Sequence, residues 1–247
     1  MKIILIGHGQ MGKAVEQEAL LQGHSVVAYY DLQNRPFIQE KDLPDADVCI
    51  EFTYPEAALE NCTYALDLGY PVVSGTTGWE TGVEELRARA NRENLSFFHA
   101  SNYSIGVNIL YSLNKKLAEL MNQTDGYIPK IEEVHHIYKK DAPSGTAIHL
   151  AKALVEKSKY VQNWTCLRSD TSNEVDIEDP TMLKVYSERK GDVPGIHEVS
   201  YQSSVDKISI RHEAFNRQGL AIGVLLAAKY ATEHKGALTM DMLLGLD

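Results

Sequence analysis

The chain has 247 residues, of which 44% are hydrophobic and 23% charged, the balance of an ordinary globular protein with one or two domains. Its formal net charge of -10 argues against a nucleic-acid partner, because binding to phosphates needs a basic patch. No apolar stretch reaches the roughly 20 residues of a membrane span, and three cysteines without a CxxC pair favour a reduced, cytoplasmic protein.

The first hundred residues alternate predicted strands with predicted helices. Short apolar runs predict buried strands, and apolar positions at helical spacing with Pro or Gly at the ends predict helices. The predicted strands cover 3–6, 25–30, 47–52, 71–74 and 95–99, and the predicted helices cover 11–21, 55–68 and 80–94. This alternation predicts an α/β domain with a parallel sheet.

After residue 104 the predicted strands cluster instead of alternating with helices. Helices are predicted over 105–121 and around 147–155, and a strand over 128–138. Three strands predicted to be antiparallel, at 182–187, 196–201 and 207–212, precede a last helix over 217–234 that we expect to pack back on the first domain. We therefore predict a first domain formed by 1–103 with 217–247 and an α+β domain over 104–216.

A glycine-rich turn joins the first predicted strand to the first predicted helix. Gly7, Gly9 and Gly12 form a G-x-G-x-x-G, in which the first glycine permits the turn, the second lets a pyrophosphate approach, and the third allows close packing. Gln10 and Met11 begin the helix, whose N–H groups attract a diphosphate. The sequence thus predicts a Rossmann-like dinucleotide-binding domain; the alternative is a set of packing glycines in an α/β fold that binds no nucleotide.

Asp31 ends the second predicted strand, 24 residues after Gly7. A carboxylate there accepts hydrogen bonds from the adenosine ribose and repels a 2′-phosphate, and Leu32 offers no compensating charge. We therefore predict NADH as the preferred cofactor and NADPH as the alternative, with Arg35 near enough to moderate the preference. Asp31 could instead cap a turn.

Two further segments are expected beside the nicotinamide. Thr53 follows the third predicted strand, and the run Gly75-Thr76-Thr77-Gly78 follows the fourth. Ligands of doubly wound sheets bind beyond the carboxyl ends of the strands, which is where both segments lie. An ordinary glycine-rich turn is the alternative interpretation of the second segment.

A cationic segment precedes the helix predicted around 147–155. It contains His135, His136, Lys139 and Lys140, of which a histidine can deliver a proton near neutral pH and Lys139 can neutralise an anion. If this segment is a strand, His135, Ile137 and Lys139 share one face. The alternatives are a surface or core histidine pair and a solvated lysine face. We predict no metal site, because acidic or cysteine ligands at matching spacing are missing.

The helix start beside this segment is a candidate anion site. Ser144 is a plausible N-cap, and the backbone N–H groups of Gly145 and Thr146, with the Thr146 hydroxyl, would face a carboxylate or phosphate. Arg189 and His197, which flank a predicted turn, and Arg217 farther on are either further anion ligands or surface groups.

Nearly the whole chain resembles the 4-hydroxy-tetrahydrodipicolinate reductase (dihydrodipicolinate reductase) family. The resemblance is carried by the G-x-G-x-x-G, by Gly75–Gly78, by Ser101–Asn108 and above all by His135-His136-x-x-Lys139-x-Asp141-Ala142-Pro143-Ser144-Gly145-Thr146-Ala147. It implies reduction of a cyclic imine-type dicarboxylate to tetrahydrodipicolinate by NADH or NADPH, in bacterial lysine and diaminopimelate synthesis. It also implies a homotetramer assembled through the substrate-binding domain.

The resemblance also implies roles for individual residues. His135 would be the proton donor and Lys139 its partner, and the substrate carboxylates would be bound by His136, Lys139, Ser144, Gly145 and Thr146. The nicotinamide would be bordered by Gly75, Thr77, Ala100, Asn102 and Tyr103. Two positions depart from the family pattern: Leu32 stands where some members carry Arg, and Tyr103 where many carry Phe. The competing functions are another NAD(P)-dependent dehydrogenase, a redox-sensing dinucleotide-binding protein and a metal-dependent hydrolase.

Overall fold

A computed structural model of the chain describes residues 1–31, 37, 43–168 and 179–246. Leu32 and Arg35, which entered the argument about cofactor preference, lie outside these residues. The chain forms two compact units, 1–105 with 218–247 and 106–217. Among the described helices, none combines the length and the apolar character that crossing a bilayer requires.

The elements follow one another along the chain as follows. They are β1 (Lys2–Ile6), α1 (Gln10–Leu21), β2 (Ser25–Tyr30), β3 (Val48–Glu51), α2 (Pro55–Asp67), β4 (Val72–Ser74), α3 (Glu80–Glu93), β5 (Ser96–His99), α4 (Ile105–Met121), β6 (Ile128–His135), α5 (Gly145–Lys157), β7 (Asn163–Arg168), β8 (Met182–Arg189), β9 (Gly195–Gln202), β10 (Lys207–Ala214), α6 (Gln218–Glu233), β11 (Gly236–Leu238) and α7 (Met240–Leu244). The strands and helices predicted in the first hundred residues are all present, with ends that differ by one residue at most.

The first unit is a parallel sheet in the strand order β11-β5-β4-β3-β1-β2. Because β2 and β3 pair with opposite edges of β1, the strand order reverses at β1, the position at which doubly wound sheets bind their ligands. Ile3 and Leu5 pack beneath α1 and α6, whereas Ile4 and Ile6 pack beneath α2 and α3. Burial on both faces explains the continuous apolar run of β1, and the predicted α/β class is confirmed.

The second unit is a mixed sheet in the order β10-β9-β6-β8-β7. The prediction of three antiparallel strands is wrong for β8: β6 lies between β8 and β9, and β8 pairs in parallel with both β6 and β7. Only β9 and β10 form the expected antiparallel pair. Alternating apolar residues determine which face of a strand is buried but do not identify the neighbouring strands. The strand β7 was not predicted.

The strand β6 ends at His135, three residues before its predicted end. The chain turns there, and the Lys139 backbone N–H donates to the carbonyl oxygen of His136, 3.1 Å away. The predicted common strand face of His135, Ile137 and Lys139 is therefore wrong. The buried face of β6 carries Ile131, Glu133 and His135, and α5 packs over the apolar part of it.

Candidate active site

The three motif glycines meet different surroundings. A Cβ at Gly7, where φ is +93°, would lie 2.1 Å from the Phe52 carbonyl oxygen, and one at Gly12 would lie 2.2 Å from the Gly7 carbonyl oxygen. The packing of the chain itself therefore requires glycine at both positions. A Cβ at Gly9 would meet no atom within 4 Å. Gly9 is also the N-cap of α1 and supplies no side-chain hydrogen bond, so the open space beside uncapped N–H groups fits a diphosphate.

All the residues predicted to bind the cofactor, including the three motif glycines, lie at one edge of the first unit's sheet. Each follows the carboxyl end of a strand: Gly7, Gly9, Gln10, Met11 and Gly12 follow β1, Asp31 follows β2, Thr53 follows β3, Gly75, Thr76 and Thr77 follow β4, and Ala100, Asn102 and Tyr103 follow β5. This is the edge at which doubly wound sheets bind their ligands.

A buried carboxylate that the sequence analysis did not single out lies under this edge. Glu51 is 0% exposed. Its Oε1 accepts hydrogen bonds from the Thr53 backbone N–H at 2.7 Å, the Thr53 hydroxyl at 2.5 Å and the Thr76 hydroxyl at 2.7 Å. Its Oε2 accepts one from the Ser74 hydroxyl at 2.5 Å. The hydroxyls of Thr53 and Thr76 are thus engaged within the protein, and Glu51 fixes the two turns that carry them.

The Tyr103 side chain is also engaged within the first unit. It is 3% exposed, and its hydroxyl donates to the Ser74 carbonyl oxygen, 2.6 Å away. Burial raises the pKa of this phenol well above its ordinary value. Its backbone leaves no room for a side chain at residue 223, because a Cβ at Gly223 would lie 1.7 Å from the Tyr103 carbonyl oxygen. Tyr103 therefore supports the strand β4 at this edge of the sheet through its hydroxyl.

We expect Glu51→Gln to loosen this edge. The amide NH2 would face hydroxyl and N–H donors in place of an acceptor, which costs about 1–3 kcal/mol in a buried site. The free energy of unfolding in urea should fall by that amount, and the dissociation constant for NADH, followed by fluorescence titration, should rise. Glu60→Gln, on the exposed surface of α2, is the matched control. If both variants behave like the wild type, Glu51 does not hold the edge.

In the second unit, three polar side chains form a row across neighbouring strands. Ser187 on β8 and His197 on β9 are both paired with Glu133 on β6. All three are buried, although strand faces of this kind normally carry apolar residues. The row lies at the end of β6, two residues from where the chain leaves the sheet for the loop before α5.

The Glu133 carboxylate is the centre of this row. It accepts hydrogen bonds from the Ser187 hydroxyl at 2.6 Å and from the Ser144 backbone N–H at 3.1 Å, and Nη2 of Arg189 lies 3.3 Å from Oε1. Burial alone would raise its pKa, but the polar contacts with His197, Ser144 and Ser187 outweigh burial and hold the pKa of Glu133 well below its usual range. The carboxylate is therefore ionised at neutral pH.

Both imidazoles of the cluster lie against the same carboxylate oxygen. Nδ1 of His135 is 3.4 Å and Nε2 of His197 is 3.6 Å from Oε2 of Glu133. Burial, with electrostatic repulsion from His197, Lys139 and Arg189, lowers the pKa of His135 to about 4, and the opposing effect of Glu133 is smaller than the lowering effects together. His135 is therefore neutral at pH 7 in the free protein, and a bound anion is needed to favour its protonated form.

The predicted anion site lies where α5 begins. Ser144 is the N-cap, and its hydroxyl accepts a hydrogen bond from the Ala147 backbone N–H at 3.2 Å. Gly145 is exposed, and a Cβ there would meet no atom within 4 Å. The Thr146 hydroxyl contacts the Tyr111 phenol of α4. The start of α5 therefore combines a formed N-cap with open space, as an anion site requires.

The loop before α5 carries the cationic residues. Nζ of Lys139 lies 2.9 Å from the Asp141 carboxylate, and His136 is half-buried with Nδ1 lacking a hydrogen-bond partner. The Arg189 guanidinium donates to the backbone carbonyl oxygens of Lys139 and Asp141. Arg189, whose role the sequence left open, therefore braces the loop and reaches Glu133 as well.

Glu133, His135 and His197 also bring their ligand atoms within 4.8 Å of one another. Glu133 could not be recognised from the sequence as their acidic neighbour, because His197 is distant from it in the chain. The carboxylate already accepts hydrogen bonds from Ser187 and Ser144, and the Arg189 guanidinium lies beside it. These contacts already occupy the carboxylate, and the absence of a metal site stays a prediction.

Comparison with known proteins gives matches over the whole chain. The family model for the dihydrodipicolinate reductase N-terminus matches residues 1–103, and that for its C-terminus matches residues 106–244. A 4-hydroxy-tetrahydrodipicolinate reductase of Christiangramia forsetii is 39% identical over 99% of this chain and 98% of its own length. One from Archaeoglobus fulgidus is 33% identical over 94% and 95%, respectively.

Solved structures share the fold. A dipicolinate-bound dihydrodipicolinate reductase from Paenisporosarcina has a TM-score of 0.74 at 21% identity and covers 97% of both chains. A probable dehydrogenase from Thermotoga maritima has a TM-score of 0.58 at 10% identity, covering 100% of this chain and 93% of its own. With both family models and a full-length relative matched, the chain belongs to the dihydrodipicolinate reductase family.

Proposed function

We propose that the chain catalyses the pyridine-nucleotide-dependent reduction of 4-hydroxy-tetrahydrodipicolinate to tetrahydrodipicolinate, a step of lysine and diaminopimelate biosynthesis. The observation that carries this proposal is the 39% identity to a 4-hydroxy-tetrahydrodipicolinate reductase over 99% of the chain. The arrangement of His135 near the loop and N-cap that begin α5 supports it, because the reaction needs a proton donor beside a site for carboxylates.

In this proposal, the second unit binds the dicarboxylate. The solved relative holds dipicolinate, a ring with two carboxylates. His136 and Lys139 would provide positive charge or hydrogen bonds to these carboxylates, and Gly145 and Thr146 would present the backbone N–H groups at the start of α5. Ser144, whose N–H donates to Glu133 and whose hydroxyl caps α5, would hold that turn in place. Two anionic groups held in this way would fix the ring in one orientation, which lowers the entropic part of the barrier.

The chemistry is divided between the two sites of the chain. The nicotinamide supplies a hydride, and the residues at the carboxyl edge of the first unit's sheet would hold it there. The 4-hydroxyl group leaves the substrate as water, so one hydride and one proton complete the reduction, and His135 would donate that proton after the bound dicarboxylate has raised its low pKa. Lys139, which also lowers that pKa, would stabilise the negative charge that develops on the ring.

We propose NADH as the preferred cofactor, with NADPH as the alternative. The support is Asp31, which follows β2 at the position where an acidic side chain accepts hydrogen bonds from the ribose hydroxyls. A carboxylate at this position repels the 2′-phosphate of NADPH, so the preference is electrostatic in origin.

We also propose that the chain assembles as a homotetramer through its second unit. On α4, Ile109, Leu113 and Leu120 are 41%, 49% and 55% exposed and lie close to one stripe of the helix. An apolar stripe in water favours burial against another chain. Sedimentation equilibrium of the purified protein measures the mass of the assembly directly.

A coupled assay tests the proposed function. Dihydrodipicolinate synthase, pyruvate and aspartate semialdehyde supply the substrate, and the loss of absorbance of NADH or NADPH is followed separately. We expect oxidation of both cofactors, faster with NADH. Cofactor binding without oxidation would instead favour another dehydrogenase or a redox sensor.

Lys139→Ala should raise KM for the substrate about 10-fold or more, since a charged hydrogen bond to a carboxylate is lost. Lys140→Ala changes an exposed neighbour and should leave KM unchanged.

A further inference from the structure

We infer that Glu133 is a positioning residue: its one buried carboxylate holds the protonated form of His135 and the first turn of α5 together. The inference rests on the proposed function for its catalytic meaning. Glu133 itself is remote from solvent, with a fully buried side chain, and acts on a substrate only through its neighbours.

The alternation of side chains along β6 places the Glu133 carboxylate beside the His135 imidazole. Residues two apart on a strand share a face, so Glu133 and His135 both point to the side covered by α5. Nδ1 of His135 lies 3.4 Å from the carboxylate and has no hydrogen-bond partner, so it is the ring atom that faces Glu133 when the imidazole is protonated. Nε2 is then the atom left to deliver a proton. The space beside Nε2 is kept free by Gly195, where a Cβ would lie only 3.1 Å from that atom.

The charged groups around His135 come from four parts of the second unit. They are Glu133 on the same strand, His197 on β9, Arg189 on β8 and Lys139 in the loop before α5. Three of these groups oppose the imidazolium form, and Glu133 alone of the four favours it. His197 lies 3.6 Å from the same carboxylate oxygen, so the two imidazoles compete for one counter-charge.

The same carboxylate fixes the start of α5. It accepts the Ser144 backbone N–H at 3.1 Å, and the Ser144 hydroxyl lies 3.1 Å from Nε2 of His197. The N-cap that precedes Gly145 and Thr146 is therefore tied to the residue that holds His135. A shift of the Glu133 carboxylate would move the proton donor and the carboxylate-binding turn together.

Two substitutions with opposite expected effects test this arrangement. Glu133→Gln keeps the shape but removes the counter-charge, so the pKa of His135 should fall. His197→Asn removes the competing imidazole and its repulsion, so the pKa of His135 should rise. A side chain with a merely structural role would shift the pKa in the same direction in both variants or leave it unchanged.

NMR titration of labelled histidines in the full-length protein between pH 3 and 8 reads the pKa of His135, about 4 in the wild type, without any assay of activity. In Glu133→Gln the ring should stay neutral to a lower pH than in the wild type. The coupled assay reads the same group in the working enzyme: the decline of kcat/KM at high pH should move to lower pH in Glu133→Gln and to higher pH in His197→Asn. Glu132→Gln, on the opposite face of β6, should leave both readouts unchanged.

The outcomes separate the two proposals. Opposite pKa shifts by NMR support the positioning of His135 by Glu133, and shifts of one sign, or none, overturn it. If Glu133→Gln does not fold, an unmoved pKa in His197→Asn overturns it alone. Opposite NMR shifts in a protein that oxidises neither NADH nor NADPH would retain the arrangement and reject the proposed function.

Discussion

His135→Gln should lower kcat in the coupled assay by a factor on the order of 100 to 10,000, the usual contribution of a general acid. Glutamine keeps a polar side chain at the end of β6 but cannot donate a proton at neutral pH. The dissociation constant for NADH should not change, because the predicted cofactor residues lie in the first unit. His234→Gln, an exposed histidine at the end of α6, is the control and should retain full activity.

Proton uptake distinguishes loss of the donor from loss of substrate affinity. His135 is neutral at pH 7 because its pKa is lowered to about 4, and a bound dianion would raise that pKa. Binding of dipicolinate at pH 7 should therefore take up protons, which calorimetry in buffers of different ionisation enthalpy measures. The uptake should disappear in His135→Gln. Equal binding enthalpies in all buffers for the wild-type protein would show that the imidazole is not charged on binding.

The first unit could be predicted from the sequence except for its last two elements, β11 and α7. Its strands are buried on both faces, so they read as continuous apolar runs, and Gly23 and Gly69 follow the ends of α1 and α2. The G-x-G-x-x-G and the strand ends then located the edge that carries the predicted cofactor residues. These signals are local, and each depends on only a few neighbouring residues.

The parts that could not be predicted depend on distant partners. An acidic residue such as Glu51 or Glu133 among apolar neighbours gives no sign of being buried until its donors are known. Those donors, Ser74 and Ser187, lie on other strands. The position of β8 in the sheet could not be predicted for the same reason. Strand pairing depends on tertiary contacts, which the residue pattern of one strand does not specify.

Glu51 and Glu133 have the same structural role in the two units, since each holds a loop in place. Each is a buried acceptor at or near the carboxyl end of a strand, and each accepts a hydroxyl from a neighbouring strand and a backbone N–H from a loop that follows a strand. An irregular loop has few backbone partners of its own, whereas a buried acceptor shared by two segments holds both in one geometry. The segments fixed in this way are those that carry Thr53, Thr76 and Ser144, all predicted site residues.

The second large effect is expected from Gly9→Ala. A Cβ at residue 9 would meet no protein atom within 4 Å, and φ is -78°, which alanine adopts without strain. The free energy of unfolding should change by less than about 1 kcal/mol, the scale of an altered N-cap. If the diphosphate lies in this open space, the added methyl group displaces the diphosphate. The dissociation constant for NADH should then rise about 10- to 100-fold.

Gly12→Ala is the counterpart that separates packing from binding. Its Cβ would lie 2.2 Å from the Gly7 carbonyl oxygen, so the backbone must shift and stability should fall by about 1–3 kcal/mol. A loss of NADH affinity in Gly12→Ala alone would then reflect a distorted turn. Because Gly9→Ala leaves the turn intact, weaker binding by a variant of unchanged stability can only arise from the space beside residue 9. Unchanged affinity in Gly9→Ala would place the diphosphate elsewhere on the sheet edge.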